Sequence, residues 1–371
     1  MQNSIELPKQ TKKLNYINIF RGLAILLIIM GHTMQFESPN KIVNMLNCEM
    51  ICGGTALFIF ISGFLFQHLS AKYEFKNYMS KKWTNVILPY LFISIPGIIL
   101  CLLCPATYKN SFAGLETWIQ IPLHLTIGRV HNTPTWFIPM IIIFFLCSWS
   151  SLKLEKKGIL YKLLPFLFLI TIFLPRGTAE FENTIGFSYL MKYWIYVKYI
   201  ISNFFHFIAL YVLGMYCSAH KDIIDKFYSK RWLIWVLMIG LGALDIYTQY
   251  KYQYSNYTIS KTFLTILVLA YLKHYDDFIL EHNTFNSILD FIAQYSFGLF
   301  FVHWYWFFAY NQIFHLANVL PLVNENYILT IGAVFIRFSI VTIASLLSLF
   351  LIKKFLLKIN PETNTRKFLG I

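Results

Sequence analysis

The sequence has little charge. Only 13% of its 371 residues are Asp, Glu, Lys or Arg, whereas a soluble chain of ordinary composition has about a quarter. No long polar segment remains that could form a separate soluble domain. Apolar residues are abundant instead, with 57% hydrophobic and 19% aromatic. Because a membrane-spanning helix needs about 20 mostly apolar residues, and such stretches recur along the whole chain, the sequence predicts one all-α, polytopic membrane domain.

Acidic residues are scarce as well. The chain has 17 Asp and Glu against 31 Lys and Arg, which gives a net charge of +14. The cations are spread over short loops between apolar stretches. They form no basic stripe with interleaved aromatics, which is the pattern of a nucleic-acid-binding face. We therefore expect the lipid bilayer as a partner and no nucleic acid.

Cysteine is rare, with six residues that lie mostly in or beside apolar stretches. Cys101 and Cys104 form a CxxC, but no second CxxC completes a metal site, so we interpret both as small apolar packing residues. His124 and His131 lack the i, i+4 spacing of a helical zinc site. The sequence predicts no bound metal.

Long apolar runs divide the chain into about ten predicted membrane spans. They lie at roughly residues 15–35, 50–69, 84–104, 135–151, 159–175, 196–217, 232–250, 259–273, 291–313 and 328–352. The first run is too long for the apolar core of a signal peptide and lacks a small-residue cleavage site, so it predicts a retained span. The predicted division is a cytoplasmic segment at 1–14, a transmembrane domain at 15–352 and a cytoplasmic tail at 353–371.

Loop charges predict the orientation of these spans. With the N-terminus in the cytoplasm, the cytoplasmic loops hold most of the Lys and Arg, as the positive-inside rule requires. The predicted outer side has few cations, which are Lys41, Lys109, Arg129, Arg176, Lys192 and Lys251. Both termini are therefore predicted to be cytoplasmic.

The first span contains two ionisable residues, Arg21 and His32. Such groups are costly within a membrane and are functional candidates by default. Their separation of eleven positions places them on one helix face, about 16 Å apart along the axis. Arg21 near the cytoplasm can hold a phosphorylated donor, and His32 further out can take a proton from a hydroxyl. The alternative is structural: Arg21 reaches lipid headgroups and His32 bonds a neighbouring helix.

Two further segments have both a structural and a functional interpretation. Residues 53–65 of the second span are rich in Gly, Ser and Phe, and small residues allow helices to approach closely. Residues 132–139 lead into the fourth span with two prolines and a tryptophan, a composition typical of an interfacial anchor.

Taken together, these segments resemble the acyltransferase 3 family, in particular its fucose 4-O-acetylase-like and polysaccharide O-acetyltransferase branch. Arg21 and His32 match the family's Arg, ten residues, His signature. Residues 57–64 are similar to its phenylalanine-rich stretch ending in Ser-Gly-Phe, and residues 135–139 to its Leu-Trp-Phe-Leu-Pro segment. Residues 295–303 resemble its Ser…Tyr…His segment in a late span. The resemblance covers nearly the whole chain, in order and with similar spacing.

The resemblance implies a membrane-bound O-acyltransferase domain with about ten membrane helices, in the bacterial plasma membrane. It implies acyl-CoA, usually acetyl-CoA, as the cytoplasmic co-substrate, with no bound cofactor. The acceptor would be a carbohydrate at or beyond the outer face. Arg21 and His32 match positions essential in the family, and we assign both to catalysis.

The loop before the third span departs from the family pattern. Relatives have Arg-x-x-Arg before Leu-Pro-Pro-Tyr, whereas this chain has Lys81, Lys82 and Asn85 ahead of Leu-Pro-Tyr. Lysine still binds phosphate as a point charge but lacks the bidentate fork of arginine, and asparagine lacks the charge. We expect Arg21, Lys81, Lys82 and Asn85 to bind the donor.

Other candidates are less specific. Trp136, His303 and Glu49 are candidate acceptor-binding residues, and His303 has a packing role as its alternative. Arg337 lies deep in the last span and needs a partner or a wet cavity. We expect either a structural pairing, with Asp245 as the candidate, or a role in the site.

The predicted reaction is acyl transfer with His32 as general base, a role that contributes roughly 10²–10⁴-fold in rate. An acyl-histidine intermediate is the alternative route. The rival function is a polysaccharide or lipid-linked sugar transporter, which is disfavoured because the sequence shows no internal repeat. The sequence does not specify the acceptor, the acyl group or the oligomeric state. It also leaves two alternatives for the route, direct transfer or a covalent acyl-enzyme intermediate, and does not specify whether a partner protein takes part.

Overall fold

A computed structural model of the protein describes residues 14–72, 74–106, 110–129, 134–177, 186–315, 320–322 and 326–371. Its helices are α1 (Asn15–Thr33), α2 (Lys41–Ile51), α3 (Gly54–Leu69), α4 (Phe75–Lys82), α5 (Leu88–Leu103), α6 (Thr117–Ile127), α7 (Phe137–Lys156), α8 (Leu164–Phe173), α9 (Tyr189–Ala219), α10 (Asp222–Ser229), α11 (Arg231–Tyr252), α12 (Thr258–His274), α13 (Asp276–Glu281), α14 (Asn283–Ile313), α15 (Tyr327–Ile359) and α16 (Arg366–Leu369). Strands β1 (Phe36–Glu37) and β2 (Leu320–Pro321) pair in parallel. One π-helical turn, Trp83–Ile87, joins α4 to α5.

The predicted all-α membrane fold is confirmed. In the described ranges, eight helical segments are long and apolar enough to cross a membrane. The predicted span at 159–175 corresponds to a shorter apolar helical segment, Leu160–Phe173, and the one at 259–273 corresponds to α12, which has 17 residues. Of the predicted segment 1–14, only residue 14 is among the described residues. Asn132 and Thr133 of the segment before the fourth predicted span lie outside them.

Helices α3 and α9 cross at two glycines. A Cβ added at Gly63 of α3 would lie 2.0 Å from the Tyr211 carbonyl oxygen of α9, and one at Gly214 of α9 would lie 2.1 Å from the Phe60 carbonyl oxygen. The helices can approach this closely only because neither position has a side chain. The packing interpretation of the second span therefore holds at Gly63.

We expect Gly63→Ala to lower the thermal stability of the purified protein sharply, because the new methyl overlaps a backbone carbonyl that cannot rotate away. Overpacking usually costs about 1–3 kcal/mol. Gly332→Ala is the matched control, since a Cβ at Gly332 meets nothing within 4 Å, and it should keep or raise stability. Thermal unfolding in detergent measures both. Equal melting temperatures for the two variants would contradict the close crossing.

The two ends of the chain meet at one end of the helix bundle. Asn15, at the start of α1, bonds Asp276 and Asn286, and Phe368 of α16 packs on Phe92 of α5 with ring centroids 4.9 Å apart. We call this the tail end. The opposite end, where α1 stops and β1 pairs with β2, is the strand end. The positive-inside prediction assigns the tail end to the cytoplasm.

Candidate active site

A cavity of about 970 Å³ opens at the tail end. Among the described residues, all charged side chains in its lining are basic, and they are those of Arg21, Lys81, Lys82, Lys353 and Arg366. Polar lining is supplied by Ser62, Ser70, Tyr78, Ser80, Thr84, Asn85, Gln294 and Ser296, and the apolar walls include Phe58, Ile61, Leu65, Phe137, Ile141, Phe145 and Trp149. This combination suits a ligand with phosphates at one end and a long, weakly polar arm at the other.

Arg21 reaches the cavity from the first turns of α1. Its Nε and Nη2 donate to the Ala293 carbonyl oxygen of α14, at 3.2 and 2.7 Å, and Nη2 also donates to Asn18 Oδ1 at 3.4 Å. A Cβ at Gly22 would lie 3.1 Å from the Leu289 carbonyl oxygen, so this glycine lets α1 pack close to α14. No hydrogen bond of Nη1 to a described residue accompanies those of Nε and Nη2.

The π-helical turn brings the loop residues before the third span to the same cavity. Asn85 lies within this turn, and π-helical turns are often found at functional sites. The ammonium of Lys82 lies over the Phe145 and Tyr78 rings, at 4.4 and 5.1 Å from their centroids. The structure thus brings Arg21, Lys81, Lys82 and Asn85 together around one cavity.

Two histidines stack between α1 and α14, toward the strand end. The rings of His32 and His303 have centroids 5.4 Å apart, and Trp304 meets His32 edge-on at 5.1 Å. Nδ1 of His303 donates to the Leu299 carbonyl oxygen at 2.8 Å. Because a carbonyl only accepts, the neutral ring keeps its lone pair on Nε2, which is buried and unpaired. His32 is half-buried and makes no hydrogen bond to any described residue.

Arg337 fixes the end of α1 beside His32. Its Nε donates to the Thr33 carbonyl oxygen at 2.5 Å and its Nη2 to that of Gln35 at 2.6 Å. The predicted pairing with Asp245 is wrong, because Asp245 accepts instead from the Ser255 hydroxyl and the backbone N–H of residue 256. Helix ends leave carbonyls unpaired, and this buried guanidinium satisfies one of them at Thr33 and another carbonyl just beyond the helix at Gln35.

Arg176 joins Trp136 near the histidines. Its guanidinium lies 5.0 Å from the Trp136 ring centroid and donates to the Tyr257 hydroxyl at 2.6 Å. Trp136 also packs edge-on against Tyr199 at 5.5 Å, and the Arg176 charge acts on His32. In the sequence, Arg176 contributed only to the predicted orientation of the spans. The one signal for a role in the site was its position among the few cations of the predicted outer side.

Glu49 is placed differently from the other acceptor candidates. Its carboxylate lies 3.6 Å from the ammonium of Lys261 and accepts from the Ser260 hydroxyl at 2.5 Å. Lys261 is only 5% exposed. These contacts tie α2 to α12, and in the described part of the chain no hydrogen bond or ion pair joins Glu49 to His32.

The cavity and the histidine pair are linked along α14. Ser296 lines the cavity, and His303 lies two helical turns further on, about 10 Å along the axis. Phe137, which also lines the cavity, packs on Phe300 at 5.3 Å. The cavity lining at Ser296 and Phe137 thus lies within about two helical turns of His303, although neither His32 nor His303 lines the cavity itself.

The described ranges contain no group of three or more His, Cys, Asp and Glu side chains that could hold a metal ion. His124 bonds the Arg129 carbonyl oxygen at 2.7 Å and Asn110 Oδ1 at 2.9 Å. His131 lies outside the described residues. The absence of a metal stays a prediction.

A family model described as an acyltransferase domain matches residues 14–352, most of the chain. The chain belongs to the acyltransferase 3 family. The resemblance inferred from the motifs is confirmed at the level of this family. Comparison with curated proteins gives no match, and comparison with solved structures gives none. The protein is therefore a multi-pass membrane protein of an acyltransferase family. Arg21, Lys81, Lys82 and the histidine pair lie inside the matched region, whereas Lys353 and Arg366 of the cavity lining lie beyond it.

Proposed function

We propose that this acyltransferase 3 protein is an O-acetyltransferase that takes its acyl group from cytoplasmic acyl-CoA and gives it to a hydroxyl of an exported or cell-surface carbohydrate. The observation that carries the proposal is the basic cavity at the tail end, which is lined by Arg21 of α1, the same helix that carries His32. A transporter does not need this pairing of a basic cavity with an unpaired histidine.

The donor fits the cavity by charge and by polarity. Acyl-CoA carries its phosphates at one end and its thioester at the end of a long arm. Arg21 and Lys82 offer cations to the phosphates, with Lys81 at the same mouth. The phenylalanines and aliphatic side chains further in suit the arm, which then delivers the thioester toward α14 and the histidine pair.

His32 is proposed as the general base. It takes the proton of the acceptor hydroxyl as the oxygen attacks the thioester carbonyl. The carbon–sulfur bond then breaks and the thiolate of CoA leaves. His32 gives the proton to this thiolate. The unpaired Nε2 of His303 can accept a hydrogen bond from the same or a neighbouring hydroxyl, which would orient the sugar.

The acceptor is proposed to lie against Trp136 and Arg176. Indole and phenol rings bury the apolar faces of a sugar, and the Trp136–Tyr199 pair offers such a surface near His32. This placement agrees with the polysaccharide O-acetyltransferase branch that the motifs resemble, and with a bacterial plasma membrane in which the tail end faces the cytoplasm.

Transfer of labelled acetyl groups tests this function. Inside-out membrane vesicles that carry the protein and the glycans of its host cell are supplied with radiolabelled acetyl-CoA. We expect label in the glycan fraction and free CoA thiol in equal amounts, neither of which appears with vesicles lacking the protein. Glycan movement without thiol release or label would support the transporter and contradict the proposal.

A further inference from the structure

The segment that follows α15 forms part of the wall of the basic cavity. Arg366, Gly370 and Ile371 line the cavity together with Arg21 and Lys82. The sequence predicts residues 353–371 as a cytoplasmic tail, but α15 continues to Ile359 and the chain then folds back beneath the bundle.

This segment is held in place by close packing. A Cβ at Gly298 of α14 would lie 2.9 Å from the Leu369 carbonyl oxygen, so the glycine admits the segment's backbone. Gly370 has a φ of +71°, and a Cβ there would lie 2.3 Å from the Phe297 ring. Leu369 is 8% exposed, and the Thr365 hydroxyl donates to the Ile371 carbonyl oxygen at 2.8 Å. Arg366 is thus carried by an anchored turn.

Arg366 adds positive charge where cations already converge. Arg366 lines the same cavity as Arg21, Lys82 and Lys353. Asp290 lies one turn before the cavity-lining Gln294 on α14, but its carboxylate accepts hydrogen bonds from Asn18 and Gln294 and it does not line the cavity. The described lining therefore brings several cationic side chains together without an acidic side chain. An anionic ligand would relieve their repulsion.

We propose that Arg366 binds a phosphate group of the acyl-CoA donor. The loop before the third span offers only Lys81, Lys82 and Asn85, which supply no guanidinium fork, and an arginine binds phosphate with two parallel hydrogen bonds. Arg366 enters the same cavity from the C-terminal segment with an exposed side chain. The donor site is thus completed by a residue far in sequence from Arg21, Lys81 and Lys82. The inference rests on the proposed function.

Binding of unmodified CoA to the full chain in nanodiscs tests the inference. We expect Arg366→Gln to weaken CoA binding by roughly 10-fold or more, the effect of losing a hydrogen bond to a charged group. Lys367→Gln is the matched control, because it removes the same charge from the next residue, which is exposed and does not line the cavity. Its affinity for CoA should be that of the wild type. Melting temperatures should be equal for all three proteins.

A compensating change makes the test sharper. Asn85 lines the same cavity, so Asn85→Arg in the Arg366→Gln protein should restore much of the lost affinity by returning a guanidinium to the site. Equal CoA affinity in wild type and Arg366→Gln, or a lost affinity that Asn85→Arg does not recover, would overturn the inference while leaving the proposed function intact. A wild-type protein that binds no CoA would instead overturn the proposed function itself.

Discussion

Replacing His32 with alanine is expected to lower the rate of acyl transfer by roughly 10²–10⁴-fold, the usual contribution of a general base. The hydroxyl of a sugar is a poor nucleophile until its proton is removed, and His32 is the half-buried imidazole that bonds no described residue. The measurement is the initial rate of labelled acetyl transfer in membrane vesicles at matched protein levels.

The fold should survive this change. His32 contributes ring contacts to His303 and Trp304, and no hydrogen bond to a described residue is lost with it. His282→Ala is the control. His282 is exposed and lies just before the first residue of α14, so its replacement should leave the rate unchanged. A His32→Ala protein with normal melting and a wild-type rate would remove His32 from the chemistry.

Replacing Arg21 with glutamine is expected to lower kcat/KM for acyl-CoA by roughly 10–100-fold, since a hydrogen bond to a charged group contributes about 1.5–3 kcal/mol. The loss should appear mainly as a higher KM for the donor, because Arg21 lines the basic cavity and not the histidine pair. Steady-state rates at several acyl-CoA concentrations measure it.

The control for Arg21 is Arg231→Gln, which removes one positive charge from the start of α11, away from the cavity. Arg21 also bonds the Ala293 carbonyl oxygen, so the melting temperature of Arg21→Gln must be compared with that of wild type. An unchanged KM for acyl-CoA in a stable Arg21→Gln protein would show that the donor binds elsewhere.

The membrane fold could be predicted from the sequence because apolar length is a local property. Each predicted span coincides with a helix. The helix ends could not be predicted as well: α9 starts at Tyr189 and α15 continues to Ile359, well beyond the apolar runs. Backbone hydrogen bonding continues where hydrophobicity stops, so hydropathy marks the apolar part of a helix and not its full length.

Helical geometry alone could predict the candidate site only where its residues share one helix, and Lys81, Lys82 and Asn85 were grouped with Arg21 only through the family resemblance. Arg21 and His32 are related by helical spacing along α1. The stacking of His32 on His303 and the arrival of Arg366 at the Arg21 cavity depend on how distant segments pack, which a single sequence does not encode in any local pattern. The hydrogen-bond partners of Arg337 could not be predicted either, because they are backbone carbonyls, which every residue has.

The most direct test of the central claim is mass spectrometry of surface glycans from cells that express the wild type or His32→Ala at equal membrane levels. We expect an O-acyl mass increment on the glycans of wild-type cells and its loss in the variant, and the size of the increment would identify the acyl group. Identical acylation in the two strains would contradict His32-dependent transfer.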